Sequence, residues 1–425
     1  MQHITIPPSK SHTMRALLFS LMAEGRSTIR NFLPSPDTEA MIQAISSLGA
    51  RVEKKGDTLV VQGTAGILSP PHCTLNVGNS GQVLRFITAI AAISPYPIVL
   101  TGDNSITSNR PISPLIDALH QLGATTHYLG NPRFAPVKIC GPIHSGTASL
   151  TGTDSQPVSG LLMALSFLSG SSELFVHDPC EQPWIDLTLW WLQRFGTVIE
   201  RLDYGYYRIP GSLRLKGFDF TVPGDFSSAA FPMAASLITG HPTTLHHLSM
   251  DDPQGDKELF THLQKQGGSF HFTENSLTVS QGTILLGGEI DVNLFIDAIP
   301  ILSVLACYAT SPTKLINARS ARYKESDRLL TMSQELSKMR AKIKMTHDTL
   351  TIYPSCLEGA SLLSHNDHRV AMALCVAALR AHGPSTIENT HCINKSYPQF
   401  VQHLQELGHA ISAPTPNSLR ISGVR

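Results

Sequence analysis

The residues most able to do chemistry are basic side chains set beside polar helix starts or in loops: Lys10, Arg15, Arg85, Arg110, Lys324, Arg328, Arg369 and Lys395. Ser9-Lys10-Ser11 follows two prolines and opens an apolar pattern of Met14, Leu17, Leu18, Leu21 and Met22. Proline suits the entry to a helix, so the spacing predicts a helix N-terminus there, with free backbone N–H groups and a dipole that favour an anion. Ser11 and Arg15, four apart, share a helical face. Arginine grips carboxylate and phosphate bidentately and lysine supplies a point charge, so the set reads as a phosphate or carboxylate site. Two acids stand out. Asp297, in the apolar run Leu294-Phe295-Ile296-Asp297-Ala298-Ile299, is either a helix cap or a general base. Glu325, in Lys324-Glu325-Ser326-Asp327-Arg328, is either a helix-start ion pair or a base. Its cationic neighbours favour the charged form, so an acid role needs a proton from Lys10 or Lys395.

These residues sit on a repeat. An amphipathic helix followed by glycine recurs at Gly49, Gly123, Gly196, Gly267 and Gly408, with Arg340 at the fifth position, roughly every 70 residues; an apolar residue precedes each of these positions except Gly267, which follows Gln266. Acidic residues Asp37, Asp117, Asp186, Asp256 and Asp327 fall where the first turn of each such helix is expected, complementing the dipole. Turn signals such as Lys55-Gly56-Asp57 and Asp203-Tyr204-Gly205 mark hairpins. Half a repeat earlier a second, nearly all-apolar helix begins at Lys10-Ser11, Gly78-Asn79-Ser80-Gly81, Gly152-Thr153-Asp154-Ser155-Gln156, Gly224-Asp225-Phe226-Ser227, Asp297 and Asn366-Asp367-His368-Arg369. A helix apolar all round is buried. Each unit therefore reads strand, buried helix, strand, amphipathic helix, strand, strand. Six such units divide into two α/β domains of three, with a crossover near residue 224. If the buried helices run parallel, their N-termini line a cleft that attracts anions without any net charge.

The chain has 425 residues, too many for one core, with 32 basic and 32 acidic residues. Nothing in that balance points to nucleic acid or a membrane surface. Seven scattered cysteines without a C-x-x-C pair fit a reducing, cytoplasmic setting. No apolar run reaches membrane-span length, and the first motif leaves no room for a leader ahead of it. Phosphate-loop, dinucleotide and nucleophile-elbow signatures are absent. His365 and His368 have no third metal ligand near them in sequence, so no metal or other cofactor is expected.

Ser9-Lys10-Ser11-x-x-x-Arg15, Asn79-Ser80-Gly81-x-x-x-Arg85, Asn109-Arg110-Pro111, Lys324-Glu325-Ser326-Asp327-Arg328, Asp367-His368-Arg369 and Lys395-Ser396-Tyr397-Pro398, in that order, resemble the motifs of the 5-enolpyruvylshikimate-3-phosphate synthase family of enolpyruvyl transferases. The resemblance implies a two-domain inverted α/β barrel, each domain three βαβαββ units, with the active site in the interdomain cleft. The implied domains are 8–223, and 1–7 with 224–425. The implied reaction moves the enolpyruvyl group of phosphoenolpyruvate to the 5-hydroxyl of shikimate 3-phosphate by addition and elimination, releasing phosphate. By motif, Lys10, Gly81, Arg110, Gln156, Arg328, Arg369 and Lys395 hold phosphoenolpyruvate. Ser11, Arg15, Ser155, Gln156, Asp297 and Lys324 hold shikimate 3-phosphate. Asp297 is the base on the 5-hydroxyl, and Glu325 with Lys10 moves the proton at the methylene carbon. The expected enzyme is a cytoplasmic monomer acting on these two small molecules. Gly81 stands where glyphosate-sensitive members carry glycine.

The chain departs from the family pattern at the shikimate 3-phosphate contacts. Asp154 replaces a serine and is expected to turn away from a phosphate. Glu181 and Trp184 replace a serine and a tyrosine, Ser320 an asparagine and Gln82 a threonine. Two other readings remain: a sister transferase acting on UDP-N-acetylglucosamine, and a non-catalytic anion-binding protein of the same fold. The first carries Lys-Asn where this chain has Lys10-Ser11.

Overall fold

The computed structural model describes residues 2–69, 73–280 and 285–424. It divides into two compact units, Pro8–Val222, and Met1–Pro7 with Pro223–Arg425. Each holds three four-stranded sheets of one design. In one, Cys73–Asn76 pairs parallel with Ile98–Thr101, which pairs antiparallel with Val137–Cys140, which closes a hairpin with Thr125–Tyr128. The repeat read from the sequence is thus one sheet per unit of chain.

Each unit completes one of its sheets with a strand from far along the chain. In Pro8–Val222, the sheet built on Arg26–Arg30 takes its parallel edge strand from Asp219–Thr221. In the other unit, Thr243–His246 takes its parallel partner from Gln2–Thr5 at the N-terminus.

Among the described residues each unit has three buried helices: Lys10–Met22, Gly81–Ala91 and Ser155–Ser166 in one, Phe226–Thr239, Ile299–Cys307 and His368–Leu379 in the other. Their apolar residues form the two cores, as expected for helices without a polar face. Five are capped by a side chain that accepts a backbone N–H, from Ser9, Ser80, Asp154, Asp225 and Asp367. Ile299–Cys307 is instead entered through a short 3-10 turn, Ile296–Ala298, that carries Asp297. Asp297 makes no cap hydrogen bond, which removes the cap reading of this residue. Within each unit the polar helix starts converge. Gln82 Nε2 donates to Ser11 Oγ at 3.3 Å, and Arg369 Nη2 lies 3.0 Å from Asp297 Oδ2.

The outer helices end as their glycines imply. Gly49, Gly123, Gly196, Gly267 and Gly408 all have φ between 83° and 113°, in the left-handed region glycine enters without strain. At the fifth position Arg340 takes φ 70°, where a Cβ is penalised. Two first-turn acids are misplaced by the sequence reading. Asp117 and Asp186 lie in the second turn, because Pro114 and Pro183 start Ser113–Gln121 and Gln182–Arg194 earlier. Asp256 and Asp327 are the residues just before Lys257–Lys265 and Arg328–Lys338, and only Asp327 caps with its side chain.

Arg340 pairs with Glu358 at 3.4 Å, but both side chains are well exposed and such a pair contributes little. Replacing Arg340 by glycine is expected to stabilise the protein by about 1 kcal/mol through relief of the left-handed backbone. Thermal unfolding of Arg340→Gly beside the parent should show a higher midpoint, and a lower one would refute the account.

Candidate active site

In the Pro8–Val222 unit, the sequence-picked residues gather at the three helix starts. Lys10 Nζ lies 3.5 Å from Asp37 Oδ2. Arg85 lies 3.3 Å from Asp154 and donates to the carbonyls of Gly81 and Pro111. Arg110 Nη1 donates to Asn79 O at 3.3 Å. A Cβ at Gly81 would lie 2.7 Å from Arg110 Nη1, 2.8 Å from Arg85 Nη1 and 3.1 Å from Gln156 Oε1, so these side-chain ends would have to shift to admit it. Gln156 Oε1 is itself buried without a hydrogen-bond partner.

Arg15 is 1 % exposed. It donates to Thr188 Oγ1 through Nε and Nη2, to Trp184 O through Nη2 and to Ser11 O through Nη1, and it lies over the Phe86 ring. Every one of these partners is neutral. Burial therefore pulls the guanidinium down to about 9, with no carboxylate to hold it up. A buried cation without a counter-ion is costly, and an anion brought to it offsets that cost.

Three departures from the family pattern find their explanation here. Asp154 turns to the backbone N–H of Gln156 and to Arg85, as a cap and an ion pair. Glu181, in the left-handed region at φ 55°, accepts from the Ser155 hydroxyl at 2.9 Å. Ser155, assigned by motif to shikimate 3-phosphate, is thus engaged by a carboxylate from the same unit. Gln82 lies against Ser11.

The other unit holds a denser cluster. Arg328, 1 % exposed, reaches Asp297 Oδ1 at 2.6 Å, Glu325 Oε2 at 3.0 Å and Asp367 Oδ2 at 2.8 Å. Arg369 holds the second oxygen of Asp297, and Lys395 Nζ lies 2.8 Å from Glu325 Oε1. Asp367 also accepts from Ser326 Oγ and from the N–H of Arg369. Burial opposes charge on Asp297, but Arg369, then Arg328 and Lys324, outweigh it and hold the carboxyl well below its usual range. Burial likewise opposes charge on Arg328, and Asp367, Asp297 and Glu325 reverse that.

Sequence distance hid a possible third metal ligand. Glu325 comes beside Asp367 and His368, with ligand atoms within 4.8 Å of one another. Arg328 and Lys395 occupy the same carboxylates, so a divalent cation entering there would meet two positive charges. Asp256 was read only as an outer-helix acid. It is 1 % exposed and accepts from Ser227 Oγ. Burial, then the charge of Asp297, pushes its carboxyl up to about 7, with Arg369 and Ser227 pulling the other way. No spacing rule brings residue 256 to residues 297 and 369. Only the ring of helix starts does.

The family model described as EPSP synthase (3-phosphoshikimate 1-carboxyvinyltransferase) matches residues 2–404. The chain belongs to the EPSP synthase family. It is similar to proteins named 3-phosphoshikimate 1-carboxyvinyltransferase from Chlamydia caviae, at 47 % identity over 95 % of this chain and 91 % of the relative, and from Chlamydia felis, at 48 % over the same shares. Among solved structures it is similar to an EPSP synthase from Acinetobacter baumannii, with a TM-score of 0.78 and 28 % identity, covering 95 % of this chain and 94 % of that one. The two-unit α/β fold expected from the motifs is the fold of this family. Among the described residues no helix is long and apolar enough to cross a membrane.

Removing Arg328 would leave Asp297, Glu325 and Asp367 short of a shared partner. Arg328→Gln is expected to cost about 3–5 kcal/mol at pH 7, read by urea unfolding. Asp297, depressed in the folded state, contributes stability that is present above its unfolded range near pH 4 and is lost as pH falls below it. The deficit of the variant should therefore shrink below about pH 4. A deficit that stays constant into acid would contradict the pairing.

Proposed function

We propose that this chain transfers the enolpyruvyl group of phosphoenolpyruvate to the 5-hydroxyl of shikimate 3-phosphate, releasing phosphate, as a cytoplasmic monomer. The observation that carries the reading is Asp297, a carboxylate fixed by Arg328 and Arg369 in a cluster otherwise suited to anions. Family membership and the named relatives support the same activity.

In this reading, Lys10, Gly81, Arg110, Gln156, Arg328, Arg369 and Lys395 hold phosphoenolpyruvate. Ser11, Arg15, Ser155, Gln156, Asp297 and Lys324 hold shikimate 3-phosphate. Arg15 joins them by giving up Ser11 O, its longest contact at 3.2 Å. Ser155 joins by turning its hydroxyl from Glu181. Asp297 accepts the proton of the 5-hydroxyl, and that oxygen attacks the enol carbon. Glu325, with Lys10, delivers a proton to the methylene carbon, giving a tetrahedral intermediate. Loss of a proton from the same carbon then expels phosphate and restores the double bond. The cations stabilise charge as it develops.

The ion pairs give this scheme an internal gate. Held by two guanidinium groups, Asp297 is a weak base. A phosphoenolpyruvate anion competing for Arg328 and Arg369 loosens that grip and returns basicity to Asp297. The base is thus strongest once the second substrate is in place.

Phosphate release with phosphoenolpyruvate and shikimate 3-phosphate tests the proposal. Release with UDP-N-acetylglucosamine and none with shikimate 3-phosphate would select the sister transferase; no release with either, the non-catalytic reading. Asp297→Ala should abolish turnover while shikimate 3-phosphate still binds by calorimetry. Gly81→Ala, whose Cβ would displace Arg110, should raise KM for phosphoenolpyruvate at least about tenfold with little change for shikimate 3-phosphate. Glyphosate should inhibit the parent enzyme, and full turnover at saturating glyphosate would refute that.

A further inference from the structure

Asp256 has no part in the scheme above, yet it is an acid buried at the same helix starts. It precedes Lys257–Lys265, is 1 % exposed, and contacts Ser227 Oγ in the first turn of Phe226–Thr239 through Oδ2. Its Oδ1 is buried with no hydrogen-bond partner. The charged groups acting on it are Asp297, Arg369 and Asp225. An ionised carboxylate with one bare buried oxygen is costly, so Asp256 needs either a proton or a share of a cation. The nearest cation by effect is Arg369, which already holds Asp297 Oδ2 at 3.0 Å.

We propose that Asp256 is a positioning residue for the enolpyruvyl transfer, acting on Asp297 by competing for Arg369. The inference rests on Asp297 being the base of the reaction. With its proton on, Asp256 makes little demand on Arg369, which stays on Asp297. With its proton released to solvent, Asp256 attracts Arg369 and repels the charge on Asp297. Both effects raise the proton affinity of Asp297. The carboxyl lies near neutrality, pushed up to about 7, so the switch falls within the working range of pH.

The test is phosphate release by the full chain between pH 5.5 and 9, for the parent, Asp256→Asn, Asp256→Glu and Ser227→Ala. The parent kcat should rise with pH through a limb near 7. Asp256→Asn should lose this limb, with kcat about fivefold lower at pH 8.5 and both KM values within about twofold. Asp256→Glu should restore a limb. Ser227→Ala removes a hydrogen bond that favours the charged form and should move the limb upward. An unaltered limb in Asp256→Asn, or a loss uniform in pH with raised KM, overturns the proposal. Carboxyl carbon NMR gives a readout without substrates and stands even if Asp256→Asn fails to fold. The Asp256 midpoint should fall in Asp297→Asn, and an unmoved midpoint overturns the coupling. A parent that releases no phosphate while the NMR coupling holds counts against the transfer reading instead.

Discussion

Arg328 is 1 % exposed and bonded to Asp297, Glu325 and Asp367, which come from three segments of the chain. Charges withdrawn from water must be matched or the fold loses several kcal/mol. That requirement fixes the neighbours. Asp367 must both cap its helix and face Arg328, so the start of His368–Leu379 is set in direction as well as position. Arg369 then falls on Asp297, and Lys395 completes Glu325. A cluster of buried cations is kept stable by the carboxylates packed among them.

The Pro8–Val222 unit meets the same requirement differently. Lys10 and Arg85 have Asp37 and Asp154, but Arg15 is satisfied by a threonine hydroxyl and two carbonyls. Hydrogen bonds donated to neutral oxygens satisfy its N–H groups and leave its charge uncompensated. The cluster around Arg328 is therefore neutralised within its own unit, whereas Arg15 retains a positive charge with no carboxylate in contact. An incoming anion gains from Arg15 without first breaking an ion pair.

Much of this was legible in the sequence, because it follows from local rules. Six polar starts before apolar runs became the buried helices, and five glycines marked where outer helices end. Arg340 shows the limit: the pattern located the turn, while the price of a non-glycine there needed the backbone angle. The site was legible as a list of residues and illegible as a set of pairings. Spacing brings Glu325 to Arg328 but says nothing of Glu181 reaching Ser155, or of Asp256 nearing Asp297 and Arg369. The first joins two helix starts of one repeat, and the second is an electrostatic influence between helix starts of different repeats, so neither follows from spacing along one helix. Proline explains the two misplaced acids, since Pro114 and Pro183 begin their helices a turn before the acid.

The strands that complete a sheet in each unit carry a consequence for how the chain is made. Gln2–Thr5 finds its partner only at Thr243–His246, and Arg26–Arg30 gains its parallel edge only at Asp219–Thr221. At ribosomal speeds, synthesis of the intervening chain lasts on the order of tens of seconds. Throughout that interval Gln2–Thr5 lacks the strand it pairs with. The sheet built on Arg26–Arg30 can be completed while Pro223–Arg425 is still being translated, but Gln2–Thr5 must wait for Thr243–His246. Gln2–Thr5 is thus made well before the strand it pairs with, and its place in the sheet is filled only after roughly 240 further residues have been added.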